Sequence, residues 1–210
     1  TFMNGLIHIG LKSFPAGRDS EFSSSLSESL KEIGFEVKRL KTGTPPRIDG
    51  KTVDYTKLEL QPSDNPAVPF SHFTPLSEFP YQKLLNCYIT YTNLETHKII
   101  LDNLDRSPLY TGRIKSTGPR YCPSIEDKVV KFKDRQRHQI FLEPEGIYTT
   151  ELYCNGISSS LPEDVQEKIV HSIPGLENAK ITRYGYAIEY NYCTPKQLWP
   201  SLKKKIVEGL

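Results

Sequence analysis

The distribution of prolines is the feature that most constrains the fold of this chain. Pro45 and Pro46 follow residues 35–40, in which apolar and polar residues alternate as in a half-buried strand. Because proline has no backbone N–H, we expect the strand to stop there and residues 41–47 to form a rigid basic turn. Five further prolines between residues 62 and 80 predict a long irregular segment, the loop-rich outer part of an inserted domain.

Hydrophobic periodicity between the prolines predicts both strands and helices, and therefore an α+β fold with α/β elements. Spacings typical of capping boxes predict three helix starts, at Ser25 with Glu28, Thr92 with Glu95, and Ser160 with Glu163. The predicted strands are 5–10, 35–40, 51–60, 87–92, 128–134, 138–142, 149–155 and 179–192.

Charge and cysteine usage exclude some functions. The net charge of the 210-residue chain is +2, which does not by itself indicate a nucleic-acid-binding protein. The four cysteines lie far apart without a CxxC pair, which argues against a structural metal and fits free thiols in a reducing compartment. No apolar run is long enough to span a bilayer, so we expect no membrane association.

One of these cysteines, Cys122, stands between Pro119 and Pro123. The two prolines favour extended backbone at the residues before them, so the thiol is expected on a stiff loop. Arg120 and Lys128 lie close by in sequence and would favour the thiolate, the nucleophilic form. The alternative is a small apolar cysteine packed on an ordinary loop.

Basic residues are concentrated around this loop. Residues 113–137 contain eight Lys or Arg against three acidic residues. On the predicted strand 128–134 and its continuation, alternation would place Lys131, Lys133 and Arg135 on one side, as a stripe that can neutralise the phosphates of a dinucleotide or of RNA. The turn 41–47, with Lys41 and Arg47, can also hold a phosphate, or it is an ordinary solvated loop.

Several motifs resemble those of a known family. The stretch GPRYCPSIEDK (118–128), followed by HQIFLEPEG (138–146), is similar to the signature of the MnmG/GidA family. Further matches are GLIHIG (5–10), RLKTGTPPR (39–47), NGIS (155–158) and GYAIEY (185–190). Members of this family are FAD-dependent enzymes that modify the wobble uridine of certain tRNAs.

The resemblance implies an internal fragment of a flavoprotein with two dinucleotide-binding domains. Residues 1–47 would be a partial FAD-binding lobe, 48–152 an inserted NAD(H)-binding-like domain with a mixed sheet, and 153–210 the return to the FAD-binding lobe. The family's Gly-rich dinucleotide fingerprint would lie outside this chain, and no Rossmann glycine pattern is present in it.

The resemblance also implies roles for particular residues. Cys122 would be the nucleophile that adds to C6 of uracil, or a general acid or base, and Ser23 would contact the flavin. Lys41, Arg47, Lys131, Lys133 and Arg135 are the candidate tRNA-binding residues. The NAD(H) segment would comprise Gly118, Pro119, Arg120, Tyr121, Cys122, Pro123, Ser124, Ile125, Glu126, Asp127, Lys128 and Phe132.

The activity implied is the addition of a carboxymethylaminomethyl-type group to C5 of the wobble uridine. Methylenetetrahydrofolate would supply the one-carbon unit, FAD would carry electrons and NADH would be the reductant. The expected partners are tRNA, an MnmE-type GTPase and a second copy of the chain. Residues 14–18 resemble mitochondrial members more than bacterial ones, so we expect a mitochondrial protein, with the bacterial cytoplasm as the alternative. A non-catalytic RNA- or partner-binding module is the alternative function.

Overall fold

The computed structural model of the chain describes residues 3–16, 25–80, 83–118 and 122–209, which form two antiparallel β-sheets and four α-helices. The elements in chain order are β1 (Met3–Ile9), β2 (Lys12–Pro15), α1 (Ser25–Glu32), β3 (Val37–Thr44), β4 (Arg47–Asp49), β5 (Glu59–Gln61), β6 (Cys87–Tyr91), α2 (Leu94–Leu101), α3 (Ile125–Lys131), β7 (Gln139–Pro144), β8 (Glu151–Asn155), α4 (Glu163–His171), β9 (Ile181–Arg183) and β10 (Tyr186–Cys193). The predicted α+β fold is confirmed.

The first sheet has four strands in the order β2-β1-β10-β3. Its longest pairing joins β10 to β3, from Tyr186 opposite Thr44 to Cys193 opposite Val37. β3 therefore continues past the predicted end at residue 40, because every residue before the first proline can pair with β10. The prolines still end the strand, as expected from their missing N–H groups.

The second sheet has six strands in the order β5-β6-β7-β8-β4-β9. Three helices pack side by side against this sheet: α2, α3 and α4. The core between them contains fully buried side chains from strands and helices alike, and each contributes about 1.5–3 kcal/mol to folding. Among them are Ile48, Ile140 and Leu142 from the sheet, with Ile125 and Val165 from the helices.

The largest error of the sequence prediction concerns residues 128–134. They are not a strand, because α3 occupies Ile125–Lys131 and a turn follows it. The overlooked signal is Ser124, whose hydroxyl accepts a hydrogen bond from the backbone N–H of Asp127 and so caps the helix. The stripe of basic residues derived from strand alternation is therefore wrong in its geometry.

Other boundaries also differ from the prediction. Residues 51–60 form two 3₁₀ turns, 50–52 and 55–57, and only the short β5 beyond them is a strand. α2 is capped by Asn93 together with Thr96, one residue later than the predicted box. α4 begins after Pro162, without a side-chain cap. The predicted strand 179–192 is two strands, β9 and β10, in different sheets.

The chain passes from one sheet to the other at two places. It leaves the first sheet between β3 and β4, where residues 45 and 46 separate the strands. It returns between β9 and β10, at Tyr184 and Gly185. The chain crosses back only after α4 and β9 have completed the core of the second sheet.

Candidate active site around Cys122

Cys122 lies on the loop immediately before α3, beside the first sheet. Its Sγ is 3.5 Å from Oγ1 of Thr42 in β3. The side chain is half-buried, so the thiol is neither inside a helix nor sealed in the core. This position puts the sulfur beside β3 of the first sheet and next to the start of α3.

A narrow cleft separates Cys122 from its neighbours. Its volume is ≈ 10 Å³, about the room that one water molecule needs. It is lined by Lys41 and Gly43 of β3, by Tyr186 and Ala187 of β10, and by Ser124 with the three consecutive serines 158–160. The thiol therefore faces a lysine side chain and several hydroxyl groups.

Lys41 is buried, with only 4% of its surface exposed. Its backbone N–H donates to the carbonyl of Thr117, 3.2 Å away, and its side chain passes beneath Gly118. Among the described residues, no carboxylate or carbonyl accepts a hydrogen bond from its ammonium group. The ammonium group is thus available to an anionic or carbonyl-bearing ligand.

Lys128 is the second lysine near the thiol. Its Nζ donates to the carbonyl oxygen of Gly156 at 2.9 Å, which fixes the amine between α3 and the end of β8. Burial lowers the pKa of Lys128, and the electrostatic effect of Cys122 acts in the opposite direction. The Lys128 amine is therefore close enough to Cys122 for the two groups to interact electrostatically.

Glu126 ties α3 to the serines of the cleft. Its side chain is fully buried, and Oε1 accepts hydrogen bonds from the Ser159 hydroxyl (3.0 Å) and from the Ser160 backbone N–H (3.1 Å). Its other oxygen, Oε2, has no partner among the described residues. Burial raises the pKa of this carboxyl group. Glu126 therefore holds the cleft wall in place and does not face the thiol itself.

The other side of the loop is anchored to the first sheet. Glu189 of β10 accepts hydrogen bonds from the backbone N–H and the hydroxyl of Ser116, at 3.2 and 2.7 Å. The same carboxylate contacts the ring of His8 in β1 at 2.9 Å. Ser116 precedes the Cys122 loop, so the loop is held at its start by the first sheet and at its end by α3.

The remaining cysteines have different surroundings. Cys154 is completely buried in the core of the second sheet, and burial raises the pKa of its thiol to about 12. Burial also raises the pKa of the Cys87 thiol. These two thiols are therefore poor nucleophiles, because the thiolate is the reactive form.

The five predicted tRNA-binding residues do not form one group. Lys41 lies inside the cleft, and Arg47 pairs with Glu145 at 3.2 Å while its guanidinium contacts the Thr44 hydroxyl. Lys131, Lys133 and Arg135 are exposed at the end of α3 and in the following turn.

The predicted NAD(H) segment is described at Gly118, from Cys122 to Lys128 and at Phe132, while Ser23, Pro119, Arg120 and Tyr121 lie outside the described residues. Sequence reasoning missed Thr42 and the serines 158–160 as neighbours of Cys122. The only local signal was the run of three serines, because the segments that line the cleft are far apart in sequence and meet only in the folded chain.

Metal-ligand groups and membrane-spanning helices are both absent from the part of the chain that the structure describes. Within the described ranges, no three His, Cys, Asp or Glu side chains are grouped so that they could hold a metal ion. Over the same part of the chain, no helix has both the length and the apolar character needed to cross a membrane.

Fold and site together define an α+β protein with two antiparallel sheets, in which a half-buried thiol lies beside the first sheet and shares a narrow cleft with a buried lysine. The chain belongs to the family described as Glucose inhibited division protein A, whose model matches residues 1–210. The resemblance inferred from residues 118–128 is thus confirmed.

Two relatives carry the name tRNA uridine 5-carboxymethylaminomethyl modification enzyme MnmG. The protein of Thermodesulfovibrio yellowstonii is 62% identical over 211 residues, and that of Exiguobacterium sibiricum is 56% identical. Both alignments cover 100% of this chain and 33% of the relative. A solved structure of Aquifex aeolicus GidA matches the whole chain with a TM-score of 0.87 and 52% identity, over 36% of its own length. The chain therefore spans about a third of the relatives it matches.

Proposed function

We propose that the full-length protein is a flavin-dependent enzyme that modifies the wobble uridine of tRNA, and that Cys122 supplies its nucleophile. The observation that carries the proposal is the half-buried Cys122 thiol, which shares a narrow cleft with the buried Lys41 and interacts electrostatically with Lys128. The names of the two relatives support the choice of tRNA uridine as substrate.

The chemistry gives the thiol a definite role. C5 of uracil is a poor nucleophile, but a thiolate that adds to C6 forms a C–S bond and shifts the electron pair of the double bond toward C5 and the O4 carbonyl. C5 then forms a bond to an electrophilic carbon. Loss of the C5 proton and cleavage of the C6–S bond restore the ring and return the thiolate, so the cysteine is regenerated.

The two lysines have separate parts in this scheme. Lys128, anchored to the carbonyl of Gly156, places a positive charge near the sulfur. Lys41 has an ammonium group without a described acceptor, and it can stabilise the negative charge that develops on a uracil carbonyl oxygen during thiolate addition.

The cofactors of the proposal are FAD, NADH and methylenetetrahydrofolate as one-carbon donor. At ≈ 10 Å³ the cleft has room for about one water molecule and not for a flavin ring, so no flavin contact is assigned to the residues that line it. When bound, FAD carries the electrons that the one-carbon transfer requires.

The described residues of the proposed NAD(H) segment fit a dinucleotide less well. Glu126 is buried against Ser159, the Asp127 carboxylate accepts a hydrogen bond from the Ser124 hydroxyl, and Lys128 donates to Gly156. Each of these three charged groups is thus already engaged within the protein, and no step is assigned to NADH at this segment.

The proposed domain organisation follows the two sheets. The first sheet would belong to a FAD-binding lobe that residues 1–47 begin, and the second sheet would be the inserted domain. The inserted domain was expected to span 48–152; α4 and β9 pack on its sheet, so in this proposal residues 153–183 join it and the return to the FAD-binding lobe starts near residue 184.

Replacing Cys122 by serine in the full-length enzyme tests the proposal. We expect Cys122→Ser to lose modification, measured by nucleoside analysis of tRNA, and to keep wild-type affinity for tRNA. Cys87→Ser is the matched control, because this thiol lies on β6 and does not line the cleft; we expect it to stay active. Full modification by Cys122→Ser would remove this cysteine from the mechanism, and the non-catalytic binding module would then become the better reading.

The expected partners and compartment remain part of the proposal. Association with a second copy and with an MnmE-type GTPase is testable by analytical ultracentrifugation of the full-length protein, alone and mixed with that GTPase. The mitochondrial localisation is testable by import of the full-length precursor into isolated mitochondria.

A further inference from the structure

A second, larger cavity lies next to the Cys122 loop, between the end of β6 and the turn that follows α3. Its volume is ≈ 530 Å³, within the usual range for a small-molecule site. The side chains that matter here are Tyr91, Phe132, Arg135 and Arg137, together with Lys128 and Pro123. Two aromatic rings and two arginines therefore meet at this cavity.

The cavity combines positive charge with surfaces for stacking. The guanidinium carbon of Arg137 lies 4.2 Å from the centre of the Tyr91 ring, so Tyr91 holds the guanidinium in place. Phe132 is 54% exposed, although a phenyl ring in the core would be covered. An exposed phenyl group, a held guanidinium and two further cations are the features with which proteins bind single-stranded RNA.

The base of the cavity is rigid. His138 lines it, and the backbone N–H of His138 donates to the Thr92 hydroxyl at 2.8 Å. The same hydroxyl contacts the ring of His97 at 2.8 Å, and the two histidine rings lie 5.2 Å apart. A ligand would therefore meet a preformed surface, which lowers the entropic cost of binding.

The lining favours RNA over a dinucleotide. Nucleotide cofactors are usually held by a carboxylate on the ribose and by a glycine-rich turn at the pyrophosphate. Among the described residues, neither an Asp or Glu side chain nor a glycine lines this cavity. Arg135 and Arg137 are exposed, as expected for cations that follow a polyanionic backbone across the surface.

The cavity is also close to the reactive thiol. Pro123, which lines it, is the residue after Cys122, and successive Cα atoms are about 3.8 Å apart. Lys128 lines the cavity and is electrostatically coupled to Cys122. A nucleotide bound in this cavity would lie next to the nucleotide whose base reaches the Cys122 sulfur.

We propose that this cavity binds the nucleotide adjacent to the target uridine, with its base stacked on Phe132 or Arg137 and its phosphate held by Arg135 and Arg137. The inference rests on the proposed function, because it takes RNA as the substrate. Holding the neighbouring nucleotide would keep the target base turned toward Cys122.

The stacking part is tested with anticodon stem-loop RNAs that carry 2-aminopurine on one or the other side of the target uridine. With the full-length wild-type enzyme, we expect fluorescence quenching by stacking at one of these two positions. Phe132→Ser should abolish part of the quenching and weaken RNA binding about 5- to 150-fold, whereas Phe132→Tyr should restore both. Tyr148→Ser is the matched control, because Tyr148 is fully exposed and lies on the β7–β8 connection.

The phosphate part is tested by the salt dependence of RNA binding. Arg137→Gln should lower the slope of log K against log salt by about 0.7, the value for one phosphate contact on a single strand. Arg183→Gln is the control, because Arg183 is exposed on β9, at the opposite edge of the second sheet from β5 and β6. It should leave the slope unchanged.

The outcomes separate this inference from the proposed function. If the wild-type enzyme neither binds nor modifies tRNA, both fail. If the wild-type enzyme modifies tRNA, but 2-aminopurine is unquenched at both positions or Phe132→Ser and Arg137→Gln bind RNA like wild type, only the cavity proposal is overturned. Loss of NADH binding in these variants with unchanged RNA binding would identify a dinucleotide as the occupant and would also overturn it.

Discussion

The backbone at Gly156, immediately after β8, allows a sharp test of how the site is supported. Gly156 has φ +113°, a conformation that L-residues rarely adopt. A Cβ at this position would lie 2.5 Å from the backbone oxygen of Gln139 in β7, far inside van der Waals contact. Its own carbonyl accepts the hydrogen bond from Lys128. Gly156→Ala should therefore both strain the backbone and push β7 and β8 apart.

The expected cost combines two contributions. The unfavourable φ costs about 1–3 kcal/mol, and displacing backbone atoms in a packed region costs about 1–3 kcal/mol more. Gly112→Ala separates them, because Gly112 also has a positive φ, +73°, but a Cβ there would have no atom within 4 Å. We expect about 1–2 kcal/mol for this control.

Hydrogen exchange in the full-length protein measures the difference locally. In Gly156→Ala the protected amides of residues 139–155 should exchange at least ~30-fold faster than in wild type, equivalent to about 2 kcal/mol. Alkylation of Cys122 should also change in rate, since the carbonyl that holds Lys128 moves. Equal effects of Gly156→Ala and Gly112→Ala would refute the reasoning, because the close approach to Gln139 would then cost nothing.

Three further predictions concern charged or ionisable groups. Lys128→Met should destabilise the protein by about 1–3 kcal/mol in denaturant unfolding, because the carbonyl of Gly156 loses its charged donor; a loss below about 0.5 kcal/mol would show that this hydrogen bond does not hold α3 to the end of β8. Glu126→Ala should destabilise the protein by about 2–5 kcal/mol in denaturant unfolding, because two buried hydrogen bonds lose their acceptor. A loss of unfolding free energy below about 1 kcal/mol would mean that other contacts hold the cleft serines in place. Burial lowers the pKa of His138, so the contribution of this residue to stability is present above the unfolded pKa near 6.5 and is lost as the pH falls through the folded pKa. His138→Phe should therefore flatten the decline of the unfolding midpoint between pH 7 and pH 5. An identical decline in the variant and the wild type would contradict this assignment.

The sequence predicted well where local chemistry decides the structure. Prolines 45 and 46 end β3, and Gly34, with φ +100°, follows α1 as expected for a glycine at a helix end. The irregular segment between Pro62 and Pro80 contains a single 3₁₀ turn, at 76–78. In each case one residue type determines the backbone, so no knowledge of distant contacts is required.

Prediction failed where helix and strand have similar local patterns. Residues 125–131 carry apolar and charged residues that fit either structure, and the capping hydroxyl of Ser124, the residue immediately before them, decides for the helix. The cleft was equally out of reach, because Thr42, Cys122 and Ser159 are far apart in sequence and meet only through the packing of the two sheets. The thiol was recognisable from its sequence motif, but its neighbours were not.

The double attachment of the Cys122 loop has a consequence for engineering. Ser116 is bound to Glu189 of one sheet, and Glu126 is bound to Ser159 and Ser160 beside the other. A graft of the loop alone into a related enzyme would carry the sulfur without the groups that set its place. A functional transplant would have to move both of these anchor points together with the loop.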